Sequence, residues 1–83
     1  MKHIIFSEHA IKQMVERGAS REEVIQTIRN GERIPAKHGR IAYRHNFQYN
    51  SKWGNKFYSI KQVIPIIKEG KSIIVVTVYS FYF

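Results

Sequence analysis

Residues 7–31 read SEHAIKQMVERGASREEVIQTIRNG and predict two short helices joined by a tight turn. Ser7 is a favourable N-cap for the first helix, which we expect to run through Arg17. Gly18 follows and supplies the left-handed residue that ends a helix. The apolar side chains of this segment recur at the spacing of one helical face: Ala10, Ile11, Met14 and Val15.

The second helix begins with a capping box. Ser20 is the N-cap, and Glu23 stands three residues later, where its carboxylate can bond back to the Ser20 amide. We expect the helix to continue to about Asn30 and to end at Gly31. It buries three apolar side chains: Val24, Ile25 and Ile28.

The chain after Gly31 has the composition of strands and turns. Predicted strands cover Glu32–Lys37, Arg40–Tyr49, Lys56–Lys68 and Ser72–Phe83. Turns are predicted at His38-Gly39 and Glu69–Lys71, and a polar loop at Asn50–Asn55. Pro65 is expected to bend or bulge the third strand, because proline donates no ladder hydrogen bond.

These elements predict one α+β domain, residues 1–83, with two N-terminal helices packed on a four-stranded antiparallel sheet. The last strand is apolar on both faces and is expected in the interior of the sheet. We expect its helix-facing residues to be Ile74, Val76 and Val78, and its opposite face to carry Ile73, Val75, Thr77, Tyr79 and Phe81. That opposite face is either a partly exposed surface of aromatic and basic groups or a contact in a homodimer.

Charge is distributed very unevenly along the chain. Residues 1–32 carry equal numbers of acidic and basic side chains, whereas residues 33–83 carry nine basic side chains and one acidic one, Glu69. The whole net charge of +8 therefore lies in the second part. Such a field attracts polyanions, of which nucleic acid is the commonest.

Composition argues against several other classes of protein. The chain has no cysteine, so neither disulfides nor thiolate chemistry are available. Its four histidines show no paired metal-ligand spacing, and we predict no metal and no other cofactor. No apolar run reaches the roughly 18 residues needed to cross a bilayer, and the N-terminus lacks the features of a signal peptide. We expect a cytoplasmic protein without membrane contact.

Several short motifs resemble a small bacterial family of uncharacterised domains. They are the His-Ala helix start at Ser7–Ala10, the Arg-Gly stop at Arg17-Gly18, and the strand Val76-Thr77-Val78-Tyr79. This family is similar to the barnase–EndoU–colicin–RelE-like fold, which includes many metal-independent ribonuclease toxins. The resemblance implies functional roles for His9, Arg17, Thr77 and Tyr79.

Metal-free RNA cleavage needs an acid, a base and cations around the phosphate. His9 and Arg17 lie on one edge of the first helix, roughly 12 Å apart along its axis, and could flank a phosphodiester. Each also has a structural alternative, in which His9 bonds a backbone carbonyl and Arg17 caps a helix end. His45 is either a hydrogen-bonded core residue or, on an open face, the second acid/base group. Thr77 and Tyr79 share a strand face and could position a phosphate, or they simply reflect strand propensity.

Basic and aromatic residues interleave through the predicted sheet, as in surfaces that combine base stacking with phosphate attraction. The candidate nucleic-acid-binding residues are Arg40, Arg44, Lys52, Trp53, Lys56 and Lys61. For Lys61 an ordinary surface lysine is the alternative. Trp53 is either a stacking residue or a lid over the edge of the core.

The sequence thus predicts a toxin-like RNA-binding domain acting as a metal-independent endoribonuclease of a toxin–antitoxin type system. Two alternatives remain open. One is a non-catalytic RNA-binding module that uses the same surface. The other is a protein-interaction module whose basic face binds an acidic antitoxin or immunity protein.

Overall fold

The computed structural model describes residues 2–83, which form two helices packed on one face of a five-stranded mixed sheet. The elements in chain order are β1 Ile4–Phe6, α1 Glu8–Arg17, α2 Arg21–Asn30, β2 Glu32–Pro35, β3 Ile41–Trp53, β4 Lys56–Glu69 and β5 Ile73–Tyr82. The strands are ordered β1-β5-β4-β3-β2 across the sheet. β1 runs parallel to β5, and the other neighbouring strands are antiparallel.

Both helices begin and end where the sequence predicts. The Ser7 hydroxyl accepts a hydrogen bond from the Ala10 amide, and Gly18 ends α1 in the left-handed conformation. Ser20 and Glu23 make both bonds of the capping box at the start of α2. Each helix has 10 residues, and within residues 2–83 no helix is long and apolar enough to cross a membrane.

The prediction of four antiparallel strands was wrong because the chain adds a fifth strand before α1. β1 pairs in parallel with Ile73–Val75 of β5, and the ladder continues through the bond from the Ser7 amide to the Val75 carbonyl. Three apolar residues at the N-terminus are too short a pattern to distinguish a strand from a tail. Their pairing with the last strand is a contact between the two ends of the chain, which local periodicity does not report.

The predicted polar loop at Asn50–Asn55 was also wrong. β3 continues through this segment to Trp53, and the hairpin turns only at Gly54-Asn55. A β-bulge between Gln48 and Ser51 places the extra residue, Asn50, at a φ of 46°. The bulge lets a polar, turn-like sequence stay within a strand, and it bends the β3–β4 hairpin.

A second bulge changes which residues of β5 face the helices. Ile66 pairs with Thr77 while Ile67 pairs with Val75, so Val76 is an extra residue in β5. The alternation of side chains is reversed on passing it. The helix-facing set is therefore Ile73, Val75 and Val78, so the prediction was right for Val78 and wrong for Ile74 and Val76. Pro65 lies inside β4, one position before this irregularity.

The core lies between the helices and one face of the sheet. α1 packs on β5, and α2 packs on β4 and β3. The buried cluster combines helix and strand residues: Ala10, Met14, Ala19, Val24, Ile28, Val63, Ile67, Ile73, Val75 and Val78. β5 lies inside the sheet, between β1 and β4, as its apolar composition predicts. We call the other side of the sheet the open face; its residues include Asn46, Gln62, Ile64, Ile66, Thr77, Tyr79 and Phe81.

Candidate nucleic-acid interface

α1 covers the outer edge of β5 where β1 has ended. β1 pairs only with Ile73–Val75, so the next part of β5 has no strand beside it on that side. Two α1 side chains take over that role. Gln13 Oε1 accepts from the Val78 amide at 2.9 Å, and Arg17 Nη1 donates to the Val78 carbonyl at 2.7 Å. They satisfy backbone groups that an uncovered edge strand would leave unpaired.

Arg17 also connects α1 to an aromatic pair on the open face. Its guanidinium carbon lies 4.9 Å from the centre of the Tyr79 ring. The rings of Tyr79 and Phe81 are nearly parallel, at 14°, with their centres 6.3 Å apart, and they are 38% and 48% exposed. Thr77 shares this face two residues earlier in β5. Arg17 of the helix motif therefore lies beside Thr77 and Tyr79 of the strand motif.

His9 lies on the same row of α1, one turn before Gln13 and two turns before Arg17. Its side chain is exposed, and its ring takes part in no hydrogen bond among the described residues. The carbonyl contact that a structural role requires is therefore not made. Gln13 and Arg17 of this row contact the outer edge of β5, and His9 lies one turn further along the row with its side chain exposed.

His45 lies elsewhere, on β3, with β4 between it and β5. It is half-buried on the helix-facing side of the sheet, opposite Val63, and its ring packs edge-on against Phe47 at 4.8 Å. Two strand spacings of about 4.8 Å separate β3 from β5. The structure therefore does not bring His45 together with His9.

The Lys61 side chain is inside the protein, so the structure fits neither its prediction as a nucleic-acid-binding residue nor the alternative of a surface lysine. Its residue surface is only 7% exposed, and its ammonium group donates to the Gly18 carbonyl at 2.8 Å and to both Glu23 carboxylate oxygens at 3.0 and 3.1 Å. The Tyr49 ring centre lies 5.0 Å from the same nitrogen. All three ammonium donors are used, so Lys61 ties β4 to the junction of α1 and α2 and has no donor left for a phosphate.

Aromatic rings cover the same helix junction. The Trp53 and Tyr82 rings stack at 4.9 Å and 9°, and the Tyr82 hydroxyl donates to the Arg17 carbonyl at 2.6 Å. Burial, followed by the nearby Tyr49 and Glu23, raises the pKa of Tyr82 to about 12. Trp53 is still 38% exposed, but its inner face closes the edge of the core, which is the lid alternative for this residue.

Three basic side chains among residues 33–83 make ion pairs. Arg44 pairs with Glu32, Lys61 with Glu23, and Arg33 with Glu69 at 3.3 Å. A hydrogen bond to the Tyr43 hydroxyl, together with Glu69, raises the pKa of the Arg33 guanidinium. Among residues 33–83, six exposed basic residues make no ion pair within the part of the chain that the structure describes: Lys37, Arg40, Lys52, Lys56, Lys68 and Lys71.

These six cations lie at the two ends of the sheet. Lys52 and Lys56 flank the tip of the β3–β4 hairpin. The other four lie at what we call the turn end, where residues 36–40 join β2 to β3 and residues 70–72 join β4 to β5: Lys37, Arg40, Lys68 and Lys71. Arg40 and Lys68 line one groove of about 390 Å³ there, together with His38 and Glu69. The charged side chains that line this groove are thus two cations and one carboxylate.

Residues 6–80 match the family described as a domain of unknown function (DUF4258). The chain belongs to that family. The match spans nearly the whole fold and contains both the helix motifs and the β5 motif. No curated protein and no solved structure matches the chain.

Within this DUF4258 domain, sequence reasoning missed the residues whose importance depends on tertiary neighbours. Gln13 was not selected, although its position four residues before Arg17 is a signal that both could reach one edge. Phe81 was predicted on the face of the last strand opposite the helices but was not selected as a site residue. The described residues contain no group of three His, Cys, Asp or Glu side chains that could hold a metal ion. The described residues do present exposed cations, the exposed rings of Tyr79 and Phe81, and the exposed side chain of His9.

Proposed function

We propose that this DUF4258 domain binds RNA, with the turn end contacting phosphates. The supporting observation is the cluster of Lys37, Arg40, Lys68 and Lys71, none of which has an ion pair among residues 2–83. The acidic side chain nearest to them in the sequence, Glu69, pairs with Arg33. The cluster therefore keeps its full positive charge for a ligand.

The shape of the domain favours an extended polyanion over a small anion. The molecule measures 40 × 24 × 23 Å, and β3, which runs from the turn end to the hairpin tip, has 13 residues. Lys52 and Lys56 repeat the positive charge at that far tip. A chain of phosphates can contact both ends at once, whereas a single phosphate reaches only one. We choose RNA over DNA as this polyanion because the family that the sequence motifs resemble is expected to share a fold with many ribonuclease toxins.

The proposal is tested by binding of a labelled single-stranded RNA in EDTA. We compare Lys68→Glu with Lys12→Glu, an exposed lysine of α1 in the electrically neutral part of the chain. Both substitutions change the net charge by the same amount, so a general charge effect is equal in the two variants. We expect Lys68→Glu to weaken binding roughly tenfold and Lys12→Glu to change it little. Equal effects, or no RNA binding by the wild type, would contradict the proposal.

A second function is proposed on the edge of β5, where the domain would act as a metal-independent endoribonuclease. Support comes from the row of His9 and Arg17 along this edge, with Thr77 and Tyr79 adjacent on β5. In this reaction His9 takes the proton of the ribose 2′-hydroxyl as that oxygen bonds to phosphorus, the bond from phosphorus to the 5′-oxygen breaks, and a solvent water gives a proton to the leaving 5′-oxygen. Arg17 and the Tyr79 hydroxyl bind the phosphate oxygens as negative charge develops on them.

Cleavage is tested with the same RNA in EDTA, and the products are examined for a 2′,3′-cyclic phosphate. His9→Ala and Tyr79→Phe are the informative variants, because neither side chain makes a hydrogen bond within the described residues. We expect both to keep the wild-type melting temperature and to lose cleavage. RNA that stays intact with the wild type removes the catalytic proposal and leaves the binding proposal standing. If RNA does not bind at all, an acidic protein becomes the partner to test.

A further inference from the structure

The open face carries a row of side chains that runs across three strands, from an exposed ring to two amides. Phe81 of β5 is directly opposite Gln62 of β4, and Gln62 is directly opposite Asn46 of β3. Gln62 Nε2 donates to Asn46 Oδ1 at 2.9 Å. Residues that pair directly across strands lie side by side on one face. Phe81, Gln62 and Asn46 therefore form one continuous strip.

We propose that this strip, with Tyr79, is a binding site for unpaired nucleobases of single-stranded RNA. The proposal rests on the RNA-binding function above and specifies which form of RNA the domain takes. In it, a base stacks on the Phe81–Tyr79 pair, and its polar edge bonds to the amides of Gln62 and Asn46.

The aromatic part of the strip has the geometry of a stacking platform. Phe81 is 48% exposed and nearly parallel to Tyr79, and Arg17 is held 4.9 Å from the Tyr79 ring centre. The Arg17 bond to the Val78 carbonyl fixes the guanidinium in that position. Flat rings presented on a sheet surface stack with bases of any sequence, and a nearby cation strengthens the contact.

The amide part supplies donors and acceptors without charge. An Asn or Gln side chain offers both an N–H donor and a carbonyl acceptor, the combination found on base edges. The Gln62–Asn46 bond leaves the Gln62 carbonyl and the Asn46 amino group available. Both residues project from the face opposite the helices, so neither α1 nor α2 covers them.

Charge favours RNA over a second copy of this domain as the occupant of this face. The carboxylate on it, Glu32, is neutralised by Arg44, and Arg17 adds a cation at the border of the aromatic pair. Two copies of this domain, each with a net charge of +8, would repel each other when their open faces approach. A nucleic acid strand instead brings phosphates towards these cations and bases towards the rings.

The test compares three probes of equal length: single-stranded RNA, duplex RNA, and a single strand that lacks bases but keeps its phosphates. We expect the wild type to bind the ordinary single strand at least tenfold more tightly than either other probe, because only that probe offers free bases. Phe81→Leu should weaken binding of the ordinary strand about tenfold and leave the baseless strand unaffected. Phe57→Leu removes another exposed phenylalanine, near the hairpin tip, and should leave the preference unchanged.

Two results would overturn the base-binding proposal while RNA binding itself survives: equal affinity for all three probes, or an unchanged preference in Phe81→Leu. A wild-type dimer that Phe81→Leu dissociates would also overturn it, by assigning the face to a second copy. Absence of binding to every probe would remove the RNA-binding function together with this inference.

Discussion

The Lys61 ammonium lies 3.0 Å from the Glu23 carboxylate in the interior of the domain, joining the middle of β4 to the first turn of α2. The same ammonium caps the end of α1 through the Gly18 carbonyl. One buried side chain therefore fixes both helices against the sheet. This arrangement matters for function because α1 carries His9 and Arg17, whose placement along β5 depends on where α1 ends.

Lys61→Met should destabilise the domain by about 3 kcal/mol, because it leaves Glu23 partly buried without its counter-ion. Urea unfolding followed by circular dichroism measures the loss. Lys68→Met is the matched control: Lys68 is an exposed lysine of the same strand, and its replacement should cost less than about 0.5 kcal/mol. Equal stabilities of the two variants would show that the buried ion pair does not hold the helices.

Gly18→Ala should lower the free energy of unfolding clearly more than Gly39→Ala does. Both glycines have a positive φ, 73° and 69°, so both substitutions carry a backbone cost of about 1 kcal/mol. At Gly18 the added carbon would also lie 2.5 Å from a Trp53 ring carbon, whereas nothing lies within 4 Å at Gly39. The Trp53 ring must move, and its fluorescence should shift towards that of a solvated indole. Equal losses of stability in the two variants, together with an unchanged Trp53 fluorescence spectrum in Gly18→Ala, would contradict the packing of Trp53 on the helix junction.

Gln13→Leu should expose the edge of β5, because the Val78 amide then loses its acceptor. We expect faster hydrogen exchange at the Val78 amide and a loss of about 1–2 kcal/mol in stability. Gln13→Glu keeps an oxygen in place and should retain most of the protection. Val78 exchange that is equally slow in Gln13→Leu would mean that α1 does not substitute for a strand at this edge.

Stability at alkaline pH should depend on Tyr82. Its pKa is raised from 10.0 to about 12 in the folded protein, so the folded state holds the phenolic proton more tightly than the unfolded chain does. The contribution is complete below pH 10 and is lost as the pH rises through 12. The urea midpoint of the wild type should therefore fall over this interval more than that of Tyr82→Phe. Parallel curves would contradict the shift.

Local signals predicted much of the fold. Both helices are defined by contacts within a few residues, which are made by Ser7, Gly18 and the Ser20–Glu23 capping box. The interior position of β5 is indicated by the apolar residues on both of its faces. The parallel β1–β5 pairing was missed because it joins the two ends of the chain.

The bulge at Val76 was also missed, and it reversed the predicted faces of Ile73–Val76. A one-residue bulge cannot be recognised in the sequence of a strand that is apolar on both faces, because apolar side chains are buried in either register. Only the pairing of β5 with β4 distinguishes the two registers. Thr77, Tyr79 and Phe81 follow the bulge, and their predicted orientation was right.

The sequence predicted which residues belong to the candidate site better than it predicted which of them lie together. Arg17 and Tyr79 were selected from different motifs, and their contact arises from packing of α1 on β5. Lys61 was misjudged because a lysine flanked by polar and apolar strand residues resembles a surface residue until its partner, Glu23, is known. Phe81 and Gln62 became candidates only through their cross-strand register.

The central claim, that the turn end binds RNA phosphates, is tested most directly by the salt dependence of single-stranded RNA affinity. If the four cations of the turn end each contact a phosphate, the logarithm of the binding constant should fall with the logarithm of salt concentration with a slope of about −3, and more steeply when Lys52 and Lys56 also contact phosphates. Lys68→Met should reduce that slope by about 0.7, whereas Lys12→Met should leave it unchanged. A wild-type slope near zero, or an equal change in both variants, would contradict the claim.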